Sequence, residues 1–361
     1  MATKKTKRLK EKPKPERRAK LPVRKPPGQS KTFADRLLET HLLQLKHHIE
    51  QNGVKGLDSL YKEAKADLYG QLLKAGSLSE RATAVQLRAM IVQIENAMTV
   101  LGGRVHHHLR DVAAISMDLG AKHGLDEFKQ LTKHFTGTTP VLSLERAAIF
   151  RDLVSDVNSS LLSRYQLVSR TWTAEAIQNT ERTLSVGTLA GKPLHAIVDD
   201  VMGSTGTLED ERWKAERIVR TENAYAHGAT KHRAMEEIQE EIDTPLYKRL
   251  VSTFDDRTGD DSFLQHGQTV PLNQPFSWKH KKRGVWVVTT YMHPPNRPND
   301  REVVIPWDPE WKETAQERPL SIAELRSAST TFWRKTPGVD IPSGHKPGRP
   351  YVGKGMPKKG A

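Results

Sequence analysis

Ala215-Glu216-Arg217-Ile218-Val219-Arg220-Thr221-Glu222-Asn223-Ala224-Tyr225 is the stretch on which the reading of this chain turns. At about 100° per residue, positions 218, 222, 225 and 229 fall within a narrow arc, so Glu222 shares a helix face with Ile218, Tyr225 and Ala229. A carboxylate on an apolar face is expected to be at least partly buried and to need a partner. No Lys or Arg stands three or four residues C-terminal to Glu222, so the partner must come from another element. Arg257, just after the first predicted strand, is the candidate, and a bidentate guanidinium there would clip the strands to the helix. Catalysis by Glu222 is the sharper alternative; a structural pair is the commoner use of such a group.

Working outward, the helix is predicted to begin near Glu209, to carry Trp213, Ile218, Tyr225 and Ala229, and to run to about Glu241. Beyond it the composition turns towards β. Residues 250–254, 284–291 and 303–305 are short β-branched or aromatic runs, bounded by turns such as His266-Gly267-Gln268 and Pro294-Pro295-Asn296. Residues 208–312 therefore read as a compact α+β module.

Upstream, Gly203-Ser204-Thr205-Gly206 separates this module from a helical half. Leu38, Leu42, Leu45 and Ile49 share one stripe, and Asn52-Gly53 is expected to end that run. Leu57, Leu60, Tyr61, Ala64 and Leu68 mark a second run, and Leu87, Met90, Ile91, Ile94, Met98 and Leu101 a third, which Gly102-Gly103 is expected to interrupt or bend. The pattern resumes with Val105, Leu109, Val112 and Leu119, and Ile149, Phe150, Leu153, Val157, Leu161 and Tyr165 define another long helix. His106-His107-His108 lies on the resumed helix; adjacent side chains there diverge by about 100° and cannot converge on one ion, so the triplet reads as structural. The fold class expected is mainly α with a C-terminal α+β module: a long-helix bundle or array followed by a long helix packed on a small, mostly antiparallel sheet. The organisation is a disordered basic arm (1–31), a helical domain (32–202), the α+β module (208–312), a short helix or linker (313–332) and a disordered basic tail (333–361).

The charge distribution sharpens this picture. The 361 residues carry 57 Lys+Arg against 43 Asp+Glu, a net of +14. Residues 1–31 hold 13 Lys/Arg and 2 Glu, residues 333–361 hold 7 Lys/Arg and 1 Asp, and the body between them is left at −3. The excess positive charge thus sits in two Pro- and Gly-rich ends with too few large apolar groups to offset the entropy of ordering. Lys4, Lys5, Lys7, Arg8, Arg17, Arg18, Arg24 and Lys25 in the first, and Lys354, Lys358 and Lys359 in the last, suit contact with a phosphate backbone without reading its sequence. The absence of cysteine excludes disulfide scaffolds, thiolate metal sites and a cysteine nucleophile. No apolar run reaches the roughly 18 to 20 residues of a membrane span, and the first thirty residues lack a signal-peptide core, so a soluble chain with no membrane partner is expected.

Taken in order, the Arg-Thr-Glu series ending at Glu222, then Lys248-Arg249-Leu250-Val251-Ser252-Thr253-Phe254-Asp255-Asp256-Arg257-Thr258, then His266-Gly267-Gln268, a Pro-rich turn and Asn299-Asp300-Arg301-Glu302, resemble the phage Mu F-like minor head (head morphogenesis) proteins of tailed phages. The resemblance covers residues 208–306. It implies structural roles for Arg220, Thr221, Glu222, Asp255, Arg257, Thr258, Gly267, Asn299 and Arg301, with Arg301 placed to pair with Asp255 or Asp256. Many relatives have cysteines where this chain has Gly259, Ser262, Asp300 and Glu302, so any metal or thiol role of theirs is not carried over. The resemblance implies a virion component in the head or at the portal vertex, assembled in the host cytoplasm. Its implied partners are the portal protein, the procapsid with its major capsid protein, and double-stranded DNA bound without sequence preference. No cofactor and no catalytic residue is implied, and a low-order oligomer is compatible with it.

Two other readings remain open at this level. Asp255, Asp256, Asp260, Asp261, His266 and His293 could hold Mg²⁺ or Mn²⁺ in a metal-dependent phosphodiesterase or nuclease. The ends alone could instead serve a sequence-nonspecific nucleic-acid-binding protein, although the first arm has no aromatic residue before Phe33. There is no Walker-type phosphate loop and no Gly-x-Ser-x-Gly elbow, which excludes motor ATPases and α/β-hydrolases.

Overall fold

The computed structural model describes residues 33–74, 84–136, 144–239, 245–252, 259–297, 300, 302–309, 318–327 and 341–349. Six α-helices come first: α1 (Phe33–His48), α2 (Lys55–Lys74), α3 (Ala84–Thr136), α4 (Leu144–Leu189), α5 (Leu194–Met202) and α6 (Thr207–Gln239). Then follow β1 (Tyr247–Ser252), α7 (Asp260–Gln265), β2 (Thr269–Pro271), β3 (Phe276–Lys282), β4 (Val285–Tyr291), β5 (Glu302–Trp307) and α8 (Ile322–Ser327). The chain is mainly α with a small antiparallel sheet system after the helices, as the sequence patterning requires. Among the described residues, no helix is long and apolar enough to cross a membrane.

Two glycine expectations are corrected. Asn52-Gly53 does not end the first run: residues Ile49–Val54 form a π-helical turn that carries α1 directly into α2. A Cβ on Gly53 would stand 2.9 Å from Val219 Cγ1, so the glycine serves the close approach of α6. Likewise Gly102-Gly103 leaves α3 uninterrupted over 53 residues, about 80 Å at 1.5 Å per residue. Gly102 is where α4 crosses closest, and a Cβ there would overlap Thr173, whereas nothing lies within 4 Å of the corresponding point on Gly103.

The helical core is apolar and continuous. Met90, Ile94, Met98, Leu101, Leu109 and Met117 of α3 pack with Leu161, Tyr165 and Trp172 of α4 and with Ala215, Val219 and Ala226 of α6. These members of the predicted stripes thus form the buried faces, while the side chains of Leu38, Leu87, Ile149, Phe150 and Leu153 lie outside those described. Of the histidine triplet, His108 bonds the Gly53 carbonyl through Nε2 at 2.7 Å.

β1 lies between β2 and β5, antiparallel to both, with Leu250 opposite Val304 and Lys248 opposite Val270. β3 and β4 form a separate hairpin in which Phe276 opposes Tyr291 and Lys282 opposes Val285. A second apolar core joins Leu246, Leu250, Val270, Phe276 and Val304 to Met235 at the end of α6 and Leu131 of α3. Helix α6 therefore contributes to both cores, which fixes the strands against the helical body. Phe263 and Leu264 of α7 pack on Leu325 of α8. Residues 341–349, expected in the disordered tail, run back onto this layer instead: Gln268 Nε2 donates to the Arg349 carbonyl at 3.1 Å, and Ile341 packs beside Leu325. A tail free of the body from residue 333 is therefore corrected over that stretch.

Candidate functional site

Glu222 is buried, as its face position requires, and a partner comes from the helical half. Arg164 of α4 donates to both carboxylate oxygens, from Nε at 2.5 Å and Nη2 at 2.9 Å. This bidentate bond raises the Arg164 pKa further above its ordinary value. The clip thus ties α6 to α4; Arg257, the partner expected from sequence, lies outside the described residues. The same guanidinium lies 4.4 Å over the Tyr225 ring, and Tyr225 meets His293 edge-on at 4.8 Å. Through that aromatic pair the loop after β4 is seated on α6. The remaining members of the series are structural too: Arg220 bonds Glu50 at 3.1 Å and Glu216 at 3.0 Å, and Thr221 Oγ1 donates to the Arg217 carbonyl at 2.7 Å. An open groove of about 630 Å³ runs beside them, lined by Arg164, Arg217, Thr221, Tyr225, Thr290 and Arg297.

A buried polar joint lies on another face of α6. Lys231 Nζ sits 2.6 Å from Glu127 Oε1 of α3 and donates to the Val304 carbonyl of β5, also at 2.6 Å. His41 of α1 reaches the same Glu127 oxygen at 3.2 Å and stacks on His123 with ring centroids 3.8 Å apart. His123 and His227 share a hydrogen bond of 2.9 Å, and burial pulls both imidazoles below their ordinary pKa, with each cationic neighbour adding to the effect. Four elements meet here: α1, α3, α6 and β5. Gly228 completes the approach, since a Cβ there would collide with the Pro294 carbonyl oxygen.

Asp261, Ser262, Arg297, Asp300 and Glu302 form a third cluster. Arg297 lies at its centre, bonded to Ser262 Oγ and paired with Asp261 at 2.9 Å and Glu302 at 3.4 Å. Burial lowers the Arg297 pKa, and the carboxylates of Glu302, Asp300 and Asp261 more than reverse this. Burial pushes Glu302 well above the usual carboxylate range, and Asp300 adds to that shift; Asp300 is raised by its own burial. Tyr291 completes the layer, its hydroxyl bonded to Gln265 Oε1 and held in the neutral form by burial. The Arg297 guanidinium thus holds together Asp261, Ser262 and Glu302.

Gly267 occupies a positive φ of 75°, and its N–H donates to the Leu250 carbonyl at 2.8 Å, so a glycine is needed at this turn. Asp255, Arg257, Thr258, Asn299 and Arg301 lie outside the described residues, as do the arm residues at 4–25 and 354–359. Among the described residues no group of three or more His, Asp or Glu side chains is placed to hold a metal ion. Three candidate ligands have structural partners: Asp261 meets Arg297, His266 Nδ1 accepts from the Ser252 N–H at 3.1 Å, and His293 Nδ1 lies 3.0 Å from the Pro294 carbonyl oxygen. Arg164, Glu127, Lys231 and Arg297 were not singled out by sequence. Helix α6 is enclosed on several sides, so polar residues at the joint break no single apolar stripe, and periodicity does not mark them. Compared with family models, curated proteins and solved structures, the chain gives no significant match.

Proposed function

We propose that this chain is a minor head (head morphogenesis) protein of a tailed phage or prophage, docking on the portal and procapsid through its helical body and touching packaged double-stranded DNA through its basic arms. The observation that carries the reading is the ordered series of motifs over residues 208–306, from the Arg-Thr-Glu helix to the closing strand. The reading is of a non-enzymatic role, and Glu222, Lys231 and Arg297 are each engaged in ion pairs that join elements of the fold.

A docking surface is available on the helical body. Val85, Val92 and Val100 of α3 are 77, 50 and 64% exposed and fall within an arc of about 80° at 100° per residue. Such a stripe fits a protein partner better than water.

The test is co-purification of the tagged protein with the portal encoded beside it, repeated with residues 1–31 deleted and again at high salt. The reading requires portal binding that survives both treatments. Loss in both, with DNA retained by the intact chain, would replace it with a nucleic-acid-associated protein.

A further inference from the structure

The β3–β4 hairpin differs from the rest of the body. Residues 276–291 contain Lys279, Lys281, Lys282 and Arg283 and no acidic residue, although residues 32–332 as a whole are net acidic. Its base is anchored: Phe276 lies in the second core, Ser277 exchanges two hydrogen bonds with Gln268 at 2.8 and 2.9 Å, and Trp278 stacks on His280 at 4.8 Å. From Lys281 to Trp286 every residue is exposed.

The tip is built at a conformational cost. Arg283 and Gly284 form a two-residue connection with φ of 52° and 83°, the pattern of a type I′ turn. Asn, Asp or Gly suits the first of these positions, and a long side chain there is strained. The chain nevertheless places a permanent cation at the extremity. Lys279 and Lys281 lie on the same face of the ribbon as Trp286, 5.7 and 5.0 Å from its ring centre.

We propose that this hairpin is a second polyanion-contacting element, in the folded body, that lays its cationic face and tip along the phosphates of duplex DNA. It goes beyond the arms and rests on the reading above only in taking DNA as the polyanion. A two-stranded ribbon is a shape that the major groove, about 12 Å wide, admits. Single-stranded DNA is less well matched, because two ammonium groups already occupy the Trp286 ring face on which a base would stack. A lipid surface is less well matched too: the turn beyond the last rung is Arg283-Gly284, and the exposed Val285 and Trp286 stand level with Lys282 and Lys281 and are each paired with a cation.

The experiment uses the full chain, arms included, titrated with a short fluorescent duplex of mixed sequence over a salt series. The variants are Lys282→Gln with Arg283→Asn, the same pair with Lys279→Gln and Lys281→Gln added, and a control with Lys46, Lys62, Lys122 and Lys133 each changed to Gln. Asn suits the left-handed turn, so the hairpin is retained. Each phosphate contact removed should reduce the slope of log K against log salt by about 0.9, giving roughly 1.8 for the pair and 3.6 for all four. The control should keep the unmodified slope. An unchanged slope in the fourfold hairpin variant, or an equal loss in the control, overturns the proposal. So does preferential loss of binding to a single strand, or of pelleting with phosphatidylserine vesicles while the duplex slope is unchanged. Portal co-purification is read in parallel: its failure would count against the minor head reading and leave the hairpin result to stand by itself.

Discussion

Replacing Lys231 with Met tests the buried joint directly. The change keeps the length of the side chain and removes its charge, leaving Glu127, which has no solvent exposure, with only His41 at 3.2 Å. It also strips the Val304 carbonyl of the donor at 2.6 Å that links α6 to β5. Removing one partner of a buried ion pair leaves an uncompensated charge and costs roughly 3 to 5 kcal/mol. An orphaned carbonyl falls in the range of about 1 to 3 kcal/mol, so the total lies at or above the middle of the first range. Equilibrium denaturation of the full chain, followed by tryptophan fluorescence, should show that loss as a lower midpoint at unchanged slope. Glu127→Leu added to Lys231→Met should recover most of it, because the stranded charge disappears and only the carbonyl penalty remains. The coupling between the two substitutions should therefore be at least about 3 kcal/mol, the stranded-charge part of the single variant's loss. A Lys231→Met protein within about 1 kcal/mol of the parent, or a double variant no better than the single, would refute the reasoning that charge pairing at this joint holds the strands on the helices.

Other outcomes follow from the same geometry. Stability should fall as the pH drops below about 6.5, the ordinary histidine value, because burial holds His123, His227 and His232 below it, His232 to about 3. The unfolded chain then binds the extra protons, at up to about 1.4 kcal/mol per pH unit for each histidine. His48, His106, His293 and His345 are lowered too, and Glu302 works in the opposite sense, since its raised pKa keeps a proton that the unfolded chain releases; denaturation at pH 7.5, 6 and 5 should show a decline smaller than these histidines together would give. Gly102→Ala should destabilise by about 1 to 3 kcal/mol through overlap with Thr173, while its neighbour Gly103→Ala, with open space at that point, should stabilise by about 0.5 to 1 kcal/mol, both read from denaturation midpoints. Val92→Glu on the exposed face of α3 should leave stability within about 0.5 kcal/mol and abolish portal co-purification; retention of the portal would remove that stripe from the docking surface.

The helices and strands were readable because their signals are local. The stripe of Met90, Ile94, Met98 and Leu101 is a core face at helical spacing, and the β-branched run ending at Tyr291 is a strand bounded by turns. The burial of Glu222 was readable for the same reason, as an angular position beside Ile218 and Tyr225. Its partner was not, because Arg164 lies 58 positions away and only the crossing of α4 over α6 brings the two together. Arg257, the candidate named from its place after the first strand, lies outside the described residues. The glycines failed in the same way. Asn52-Gly53 and Gly102-Gly103 are helix-breaking by propensity, yet Gly53 and Gly102 permit close helix crossings, and the energy gained there outweighs the intrinsic preference.

The charge arithmetic gains a different meaning once the strands are placed. A body with a net charge of −3 invites a division in which the arms alone meet polyanions and the fold meets protein. Taking the four hairpin cations out of that body leaves −7 for the remainder of residues 32–332, so the positive charge of the fold is concentrated as well as outnumbered. The exposed tip of a ribbon puts those cations ahead of the acidic surface that would otherwise repel a phosphate backbone. At physiological salt the screening length is about 8 Å, so what a polyanion meets is the local patch and not the net charge of the body. Concentration of this kind, on a hairpin rooted in the same core that Met235 and Leu131 share with the strands, gives a DNA contact a fixed position relative to the helical body. That is the property which separates a contact that positions DNA from one that only attracts it.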